Sequence, residues 1–240
     1  MKRLILCAFA CIVLVGCASM FGVRSERPNN EDDVYRSVVK ISLKAEIPKR
    51  VHHRVEQVGV MVSGTAWPID SDHLITAGHV CAAFSDLYIQ GFARDLSIDW
   101  LDKDFNLQER VVNNLSIAFV DEQNDLCMLN LTGHGFKPLR LARSMKFGES
   151  VWMVGAPLGI LGFMMPGRVV NAHMDLDEDL LDKLVISSAT THGDSGGVVV
   201  NSDGEVMGVL VNGTPDFEHL SIATGLDKLR IFVDQLKPSK

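Results

Sequence analysis

The chain has 240 residues, 47% of them hydrophobic and 22% charged, with a formal net charge of −7. That is enough apolar material for one sizeable core or for two small subdomains sharing one. The ordinary charge and aromatic content excludes a disordered or fibrous design, and the acidic balance argues against nucleic acid as a main partner, because phosphate binding needs clustered Lys and Arg.

Lys2 and Arg3 precede an apolar stretch of 12 residues, Leu4 to Val15, too short to span a bilayer as a helix but right for a secretory signal. The stretch ends in Leu14-Val15-Gly16-Cys17, which resembles a bacterial lipobox. The resemblance implies that residues 1–16 are a signal peptide and that Cys17 takes lipid as the first mature residue. Acyl groups such as palmitate would then anchor the protein on a membrane without crossing it. Ala18 follows instead of Asp, which by similarity to Gram-negative lipoproteins means no inner-membrane retention. The expected location is the cell envelope facing the periplasm, with the outer membrane favoured, or outside the cell. Losing residues 1–16 removes two positive charges and no acids, moving the net charge from −7 to −9. Residues 17–33 continue as the lipidated Cys and a polar, aperiodic stretch, which reads as a tether. Cys7 and Cys11 leave with the signal, so Cys81 and Cys127 remain, either paired in an oxidising compartment or as two buried thiols.

From residue 34 the text changes. In "VVKISLKAEI" the apolar residues Val39, Ile41, Leu43, Ala45 and Ile47 alternate with polar ones, the period of a half-buried strand. "VGVMVSGTAWPI", "HLITA", "LSIAFVD", "LCMLNL", "SVWMVGAP" and "GRVVNAHM" add short strand-like runs between Gly, Pro, Asp and Asn. "GGVVVNSDGEVMGVLVNG" reads as a hairpin turning at Asp203-Gly204. One helix is expected, at about 225–237, where Leu226, Leu229, Val233 and Leu236 form an apolar stripe. The fold class is therefore all-β, closed by one amphipathic helix.

Three stretches carry chemistry when taken together. "LITAGHV" places His79 just after a strand, "NDLCMLNL" places Asp125 at the head of another, and "THGDSGG" places Ser195 between glycines. A serine hydroxyl is a poor nucleophile and needs a base within reach; histidine supplies it, and a carboxylate fixes the imidazole tautomer. Gly193 and Gly196 let backbone amides approach a developing oxyanion. Asp102, Asp104 and Asp121 compete with Asp125 for the carboxylate role. His52, His53 and the other histidines lack metal-ligand spacing, and His192 could line a cleft. "MDLDEDLLD" at 174–182 begins like a calcium loop, but Leu180 stands where Gly is needed and Ile186 where Glu is needed, so no metal is expected there.

The order His, Asp, Ser with "TAGH", "DL" and "GDSGG" resembles the trypsin-like (chymotrypsin-fold) serine peptidases, and "VGAPLG" followed by "PGRVV" is similar to their bacterial HtrA-type branch. The resemblance covers roughly residues 34–236. It implies two six-stranded antiparallel β-barrels, about 34–135 and about 140–224, joined near 133–141 with the site between them. His79 then resembles the general base, Asp125 the orienting acid and Ser195 the nucleophile, with the Gly193 and Ser195 amides as oxyanion hole. Ala189, six before the nucleophile, with Thr190 and Gly213, would form the pocket for the side chain preceding the scissile bond. No carboxylate sits there, so a small or medium apolar residue is expected. No cofactor is implied, and the expected partners are a polypeptide substrate and a membrane, with no nucleic acid.

The chain also departs from the family. Val80 follows His79 where digestive trypsins carry a bridged Cys, and Asp194 stands where HtrA-type enzymes generally carry Asn. The text ends soon after its helix, so no PDZ domain or associated oligomer is implied. In activatable trypsin-like zymogens this Asp pairs with a freed amino terminus, which acylation of Cys17 would deny it unless a later cleavage near Val34–Val38 made one. Some other donor or cation, which the sequence does not name, is expected to serve it. An acidic loop at 174–182 could regulate access to the site. A catalytically silent, protein-binding trypsin-fold lipoprotein is the alternative to an active peptidase.

Overall fold

A computed structural model describes residues 27–51, 54–171, 183–214 and 217–236. Residues 1–16, expected to be a signal peptide, Cys17, the His52-His53 pair and the acidic stretch at 174–182 lie outside these residues.

The first half carries helix α1 (Glu31–Ser37), strands β1 (Val39–Val51), β2 (Arg54–Pro68) and β3 (His73–Ala77), and helix α2 (Gly78–Ile89). Strands β4 (Ala93–Leu101), β5 (Leu107–Val111), β6 (Ser116–Asp121) and β7 (Leu126–Asn130) follow. The second half holds β8 (Ser150–Gly155), β9 (Phe163–Asn171), β10 (Lys183–Ile186), β11 (Val198–Val200), β12 (Val206–Thr214), β13 (Phe217–Gly225) and a final helix α3 (Leu226–Asp234).

The second half closes into a six-stranded barrel in the order β10-β13-β12-β11-β8-β9. The first half is a seven-stranded sheet, β5-β4-β1-β2-β3-β7-β6. That is one strand more than the expected six, and β5 joins its edge through a turn at 102–106. There the Asp102 carboxylate accepts hydrogen bonds from the Asp104 and Asn106 amides, folding β5 back on β4. The period-two pattern of β1 puts Val39, Ile41, Leu43 and Ala45 inside. The hairpin at Asp203-Gly204 is present, with the Asn201 side chain accepting from the Asp203 and Glu205 amides and Gly204 at φ +72°.

Among the described residues, two α-helices go beyond the single one expected. Val80, Cys81 and Phe84 are buried on one face of α2, and the short run "GHVCAAF" shows no full helical period by itself. The polar stretch read as a tether is helical from Glu31. Three acids open α1 and Arg36 closes it, complementing the helix dipole. Long-range contacts hold this segment: Asn30 Nδ2 donates to the Asp203 carbonyl, Lys137 pairs with Asp33, and Val34 is buried.

The core has three apolar clusters. One lies under the first sheet and one fills the barrel. The third is shared, packing Trp67, Ile75, Leu126 and Met128 of the first half against Val154, Val198, Val209 and Phe232 of the second. The catalytic candidates sit along this seam.

Candidate active site

The pairing of β3 with β7 brings two of the candidates together. Ala77 lies opposite Leu126 and Thr76 opposite Cys127, so the residues that follow Ala77 meet the one that precedes Leu126. Asp125 adopts φ +55° there, the left-handed region that Asp tolerates better than most residues. One carboxylate oxygen accepts the His79 backbone N–H at 2.7 Å, and the other lies 2.8 Å from His79 Nδ1. Gly78 is needed for this approach, because a Cβ on it would stand 3.0 Å from Asp125 Oδ1. Cys81 and Cys127 are joined in a disulfide that ties α2 to β7 just behind the pair.

Burial pushes the Asp125 carboxyl upward. The hydrogen bond and charge of the His79 ring, the His79 amide and the Lys183 ammonium outweigh it and hold the group below the ordinary carboxylate value. With Nδ1 committed to Asp125, the tautomer that leaves Nε2 free to take a proton is favoured. The competing acids are occupied elsewhere. Asp121 binds the Asn124 amide and side chain, Asp102 braces its turn, and Asp104 pairs with Lys103.

Sequence reasoning missed a support beneath Asp125. The carbonyl of Asn124 accepts from the Thr224 hydroxyl and from Lys183 Nζ at 3.3 Å, both in the second barrel. These bonds hold the peptide that enters the unusual Asp125 conformation. Burial pulls the Lys183 ammonium below its ordinary value, against the opposing pull of Asp125 and Asp121.

Ser195 lies on a turn that reaches across the seam. The Ser195 carbonyl accepts the Thr65 N–H at 2.8 Å, and Gly196 packs on the first sheet. A Cβ on Gly196 would fall 2.1 Å from the Thr65 carbonyl oxygen, 2.2 Å from Thr76 Oγ1 and 2.9 Å from the Ala77 nitrogen. At φ +86°, only glycine fits without strain. Because Ala77 is two residues before His79, this packing delivers Ser195 to the strand end that carries the imidazole. Among the described residues the Ser195 hydroxyl has no hydrogen-bond partner, and contacts of this kind commonly tighten only when substrate arrives.

The Gly193 and Ser195 amides, among the described residues, donate no hydrogen bond, as donors reserved for an oxyanion require. The His192 carbonyl accepts the Leu158 N–H at 2.7 Å. In a trans peptide the N–H points opposite the carbonyl, so this bond turns the Gly193 N–H away from Leu158. Leu158 achieves it in a left-handed conformation, φ 52° and ψ 24°.

Asp194 is buried, 4% exposed, and its Oδ2 accepts the Thr191 N–H at 3.0 Å. Burial pushes its carboxyl up to about 6, with the Thr191 hydrogen bond pulling the other way. That local amide is the partner the sequence left unnamed.

Beside Ser195 is a cleft of about 400 Å³ lined by Thr190, Thr191, His192, Leu210, Asn212, Gly213 and Asp194. A Cβ on Gly213 would lie 3.1 Å from Thr190 Oγ1, so these two stand close together on its wall. Ala189 is exposed and is not part of the lining. The chain turns there because its neighbour Ser188 is the buried residue, its carbonyl accepting the Ser221 hydroxyl at 2.6 Å. Among the described residues no three His, Cys, Asp or Glu side chains gather as a metal site.

A family model of the trypsin-like peptidase domain matches residues 62–209. The mitochondrial serine protease HTRA2 of Drosophila pseudoobscura pseudoobscura is 30% identical over 128 residues, which is 50% of this chain and 29% of that relative. The Drosophila erecta protein is 29% identical over the same length, so the match spans under a third of these relatives. Among solved structures, the HtrA-type protease AlgW with decapeptide superposes with a TM-score of 0.65 at 19% identity, covering 85% of this chain and 66% of that one. The Rv3671c protease from M. tuberculosis, in its active form, gives 0.62 at 19% identity, covering 86% and 83%. At these identities the structural matches speak to the fold.

Proposed function

The chain belongs to the trypsin-like peptidase family, and from that premise we propose that it is a serine endopeptidase cleaving exported or envelope polypeptides through Ser195, His79 and Asp125. The observation that carries the reading is the two-point grip of Asp125 on the backbone and ring of His79, with the Ser195 turn packed against Ala77.

In this reading Ser195 Oγ attacks the scissile carbonyl carbon while His79 Nε2 takes the hydroxyl proton. Asp125 stabilises the imidazolium without itself taking the proton. The carbonyl oxygen becomes an oxyanion received by the Gly193 and Ser195 N–H groups. Collapse of the tetrahedral species breaks the C–N bond, and the leaving amine takes the proton from His79. Water, deprotonated by His79, then hydrolyses the acyl-enzyme and restores Ser195.

The decapeptide held by the similar HtrA-type protease AlgW supports a polypeptide as the substrate class. The cleft walls suit a small or medium apolar side chain, since Thr190 and Gly213 stand close and Leu210 supplies apolar surface. The lipobox-like Leu14-Val15-Gly16-Cys17 supports anchoring through acylated Cys17, with the outer membrane favoured. No described helix is long and apolar enough to cross a membrane.

The test offers the purified protein a fluorophosphonate probe and a peptide library. Labelling lost in Ser195→Ala, with cleavage after small apolar residues, is expected. Folded protein that takes no label leaves the silent binding module, and cleavage after Lys or Arg overturns the pocket assignment. In cells, palmitate incorporation should disappear in Cys17→Ser; its persistence removes the anchor.

A further inference from the structure

We propose that Thr65 is a positioning residue for the oxyanion hole: its hydroxyl clamps the Gly193 carbonyl and, together with the Leu158 N–H on the His192 carbonyl, keeps the two peptides flanking Gly193 from turning. The inference rests on the peptidase reading above and names a residue that no motif singles out.

Thr65 sits on β2 of the first half, fully buried, and every polar group it has is committed across or along the seam. Its N–H donates to the Ser195 carbonyl at 2.8 Å. Its carbonyl accepts the Thr76 hydroxyl at 2.7 Å. Its own hydroxyl donates to the Gly193 carbonyl at 2.7 Å and accepts the Ala156 N–H at 3.0 Å. One side chain from the first half therefore holds one of the proposed oxyanion donors, and its amide holds the carbonyl of the other.

The need for a clamp follows from glycine. Gly193 stands at φ +99° with no side chain to restrict it, and a residue with such freedom can turn either adjoining peptide at low cost. The peptide before it is pinned by the Leu158 N–H on the His192 carbonyl. The peptide after it is pinned by Thr65 Oγ1 on the Gly193 carbonyl. With both ends held, the Gly193 N–H has one direction. With the hydroxyl removed, the buried Ala156 N–H and the half-buried Gly193 carbonyl are left without that partner, and the loop gains a reason to turn. The effect should fall on the transition state, where charge on the oxygen is greatest, more than on substrate binding.

The experiment compares wild type with Thr65→Val, which keeps the branched shape, and Thr65→Ser, which keeps the hydroxyl. All three are assayed well below their unfolding temperatures for kcat and KM on one peptide, and for amide hydrogen exchange across residues 190–197. Losing an oxyanion donor outright costs on the order of 100- to 1,000-fold in kcat, so a misdirected one should cost roughly 10- to 100-fold in Thr65→Val. KM should stay within about twofold, and Thr65→Ser should recover kcat to within about threefold, as expected for an effect on the transition state alone. Exchange across 190–197 should quicken in the Val variant and not in the Ser variant. If Thr65→Val does not fold, Thr65→Ala carries the same comparison. A folded Val or Ala variant with wild-type kcat, a loss expressed in KM, or a Ser variant as weak as Val overturns the clamp. Wild type that neither cleaves nor takes the fluorophosphonate overturns the peptidase reading, whereas unchanged exchange across 190–197 overturns the clamp by itself.

Discussion

Asp194 holds its carboxylate where water hardly reaches, braced by one backbone amide, that of Thr191. Its folded value of about 6 lies above the ordinary 3.8. Below about pH 4 the group is protonated in both folded and unfolded chains. As pH rises toward 6 the unfolded chain gives up its proton and the folded one keeps it, so stability falls across that window and stays lower above it. The loss is on the order of 3 kcal/mol. Asp125 works in the opposite sense. Its lowered value contributes stability above the unfolded value, lost as pH falls through the folded one. Asp194→Asn removes the first effect and keeps the second. We therefore expect the variant to be more stable than wild type at pH 7 by roughly 1–3 kcal/mol, with the gap closing toward pH 4. Urea unfolding over a pH series measures this, and parallel curves for the two proteins would refute it. The sequence could pose the Asp194 question because "GDSGG" marks the turn. It could not answer it, because burial of one carboxyl depends on packing against Gly155, about forty residues earlier. The same limit hid Thr65, Lys183 and Thr224, ordinary residues in local text that become supports only through partners in the other half.

At the level of elements, β3, α2 and β7 form the unit that presents His79 and Asp125. The register of β3 on β7 aligns them, and the Cys81–Cys127 bond, closing a separation of 46 residues, locks α2 to β7 one turn away. In the sequence the two thiols could be bridged or free, since no spacing rule pairs Cys residues on a helix and a strand. The helix itself is not legible in the sequence because its buried face needs only Val80, Cys81 and Phe84, too few to set a period. Strands were easier. Alternation in β1 and the Asp-Gly turn between β11 and β12 are local chemistry and read directly. A bridge closing a loop of this length confines the unfolded chain, with an upper value near 4 kcal/mol from loop entropy. The Cys81→Ala, Cys127→Ala double variant, or the reduced protein, should unfold at lower urea by roughly 2–4 kcal/mol. An unchanged urea midpoint would show that the bond is not formed in solution.

The molecule as a whole places its site between halves that, besides an apolar cluster each, share a third. Order of motifs was enough to expect two β halves and a cleft between them. It was not enough to expect that the last helix crosses back. Helix α3 follows the second barrel in the chain, yet Phe232, fully buried, lies 5.4 Å from Phe119 of β6 and joins the shared cluster with Trp67 and Met128. A core that includes side chains from both halves cannot lose one half without exposing the apolar surface of the other. Cutting Phe232 to Ala opens a cavity in that cluster and should lower stability by about 3–5 kcal/mol. Because the cavity belongs to both halves, tryptophan fluorescence, which sees Trp67 and Trp100 in the first half and Trp152 in the second, should move together with far-UV circular dichroism in a single urea transition. A fluorescence step separated from the dichroism step, or a variant that shifts only one of two transitions, would mean that the halves fold independently. In that case the seam holding Ser195 against Ala77 would be a contact between domains, free to open, instead of part of one core.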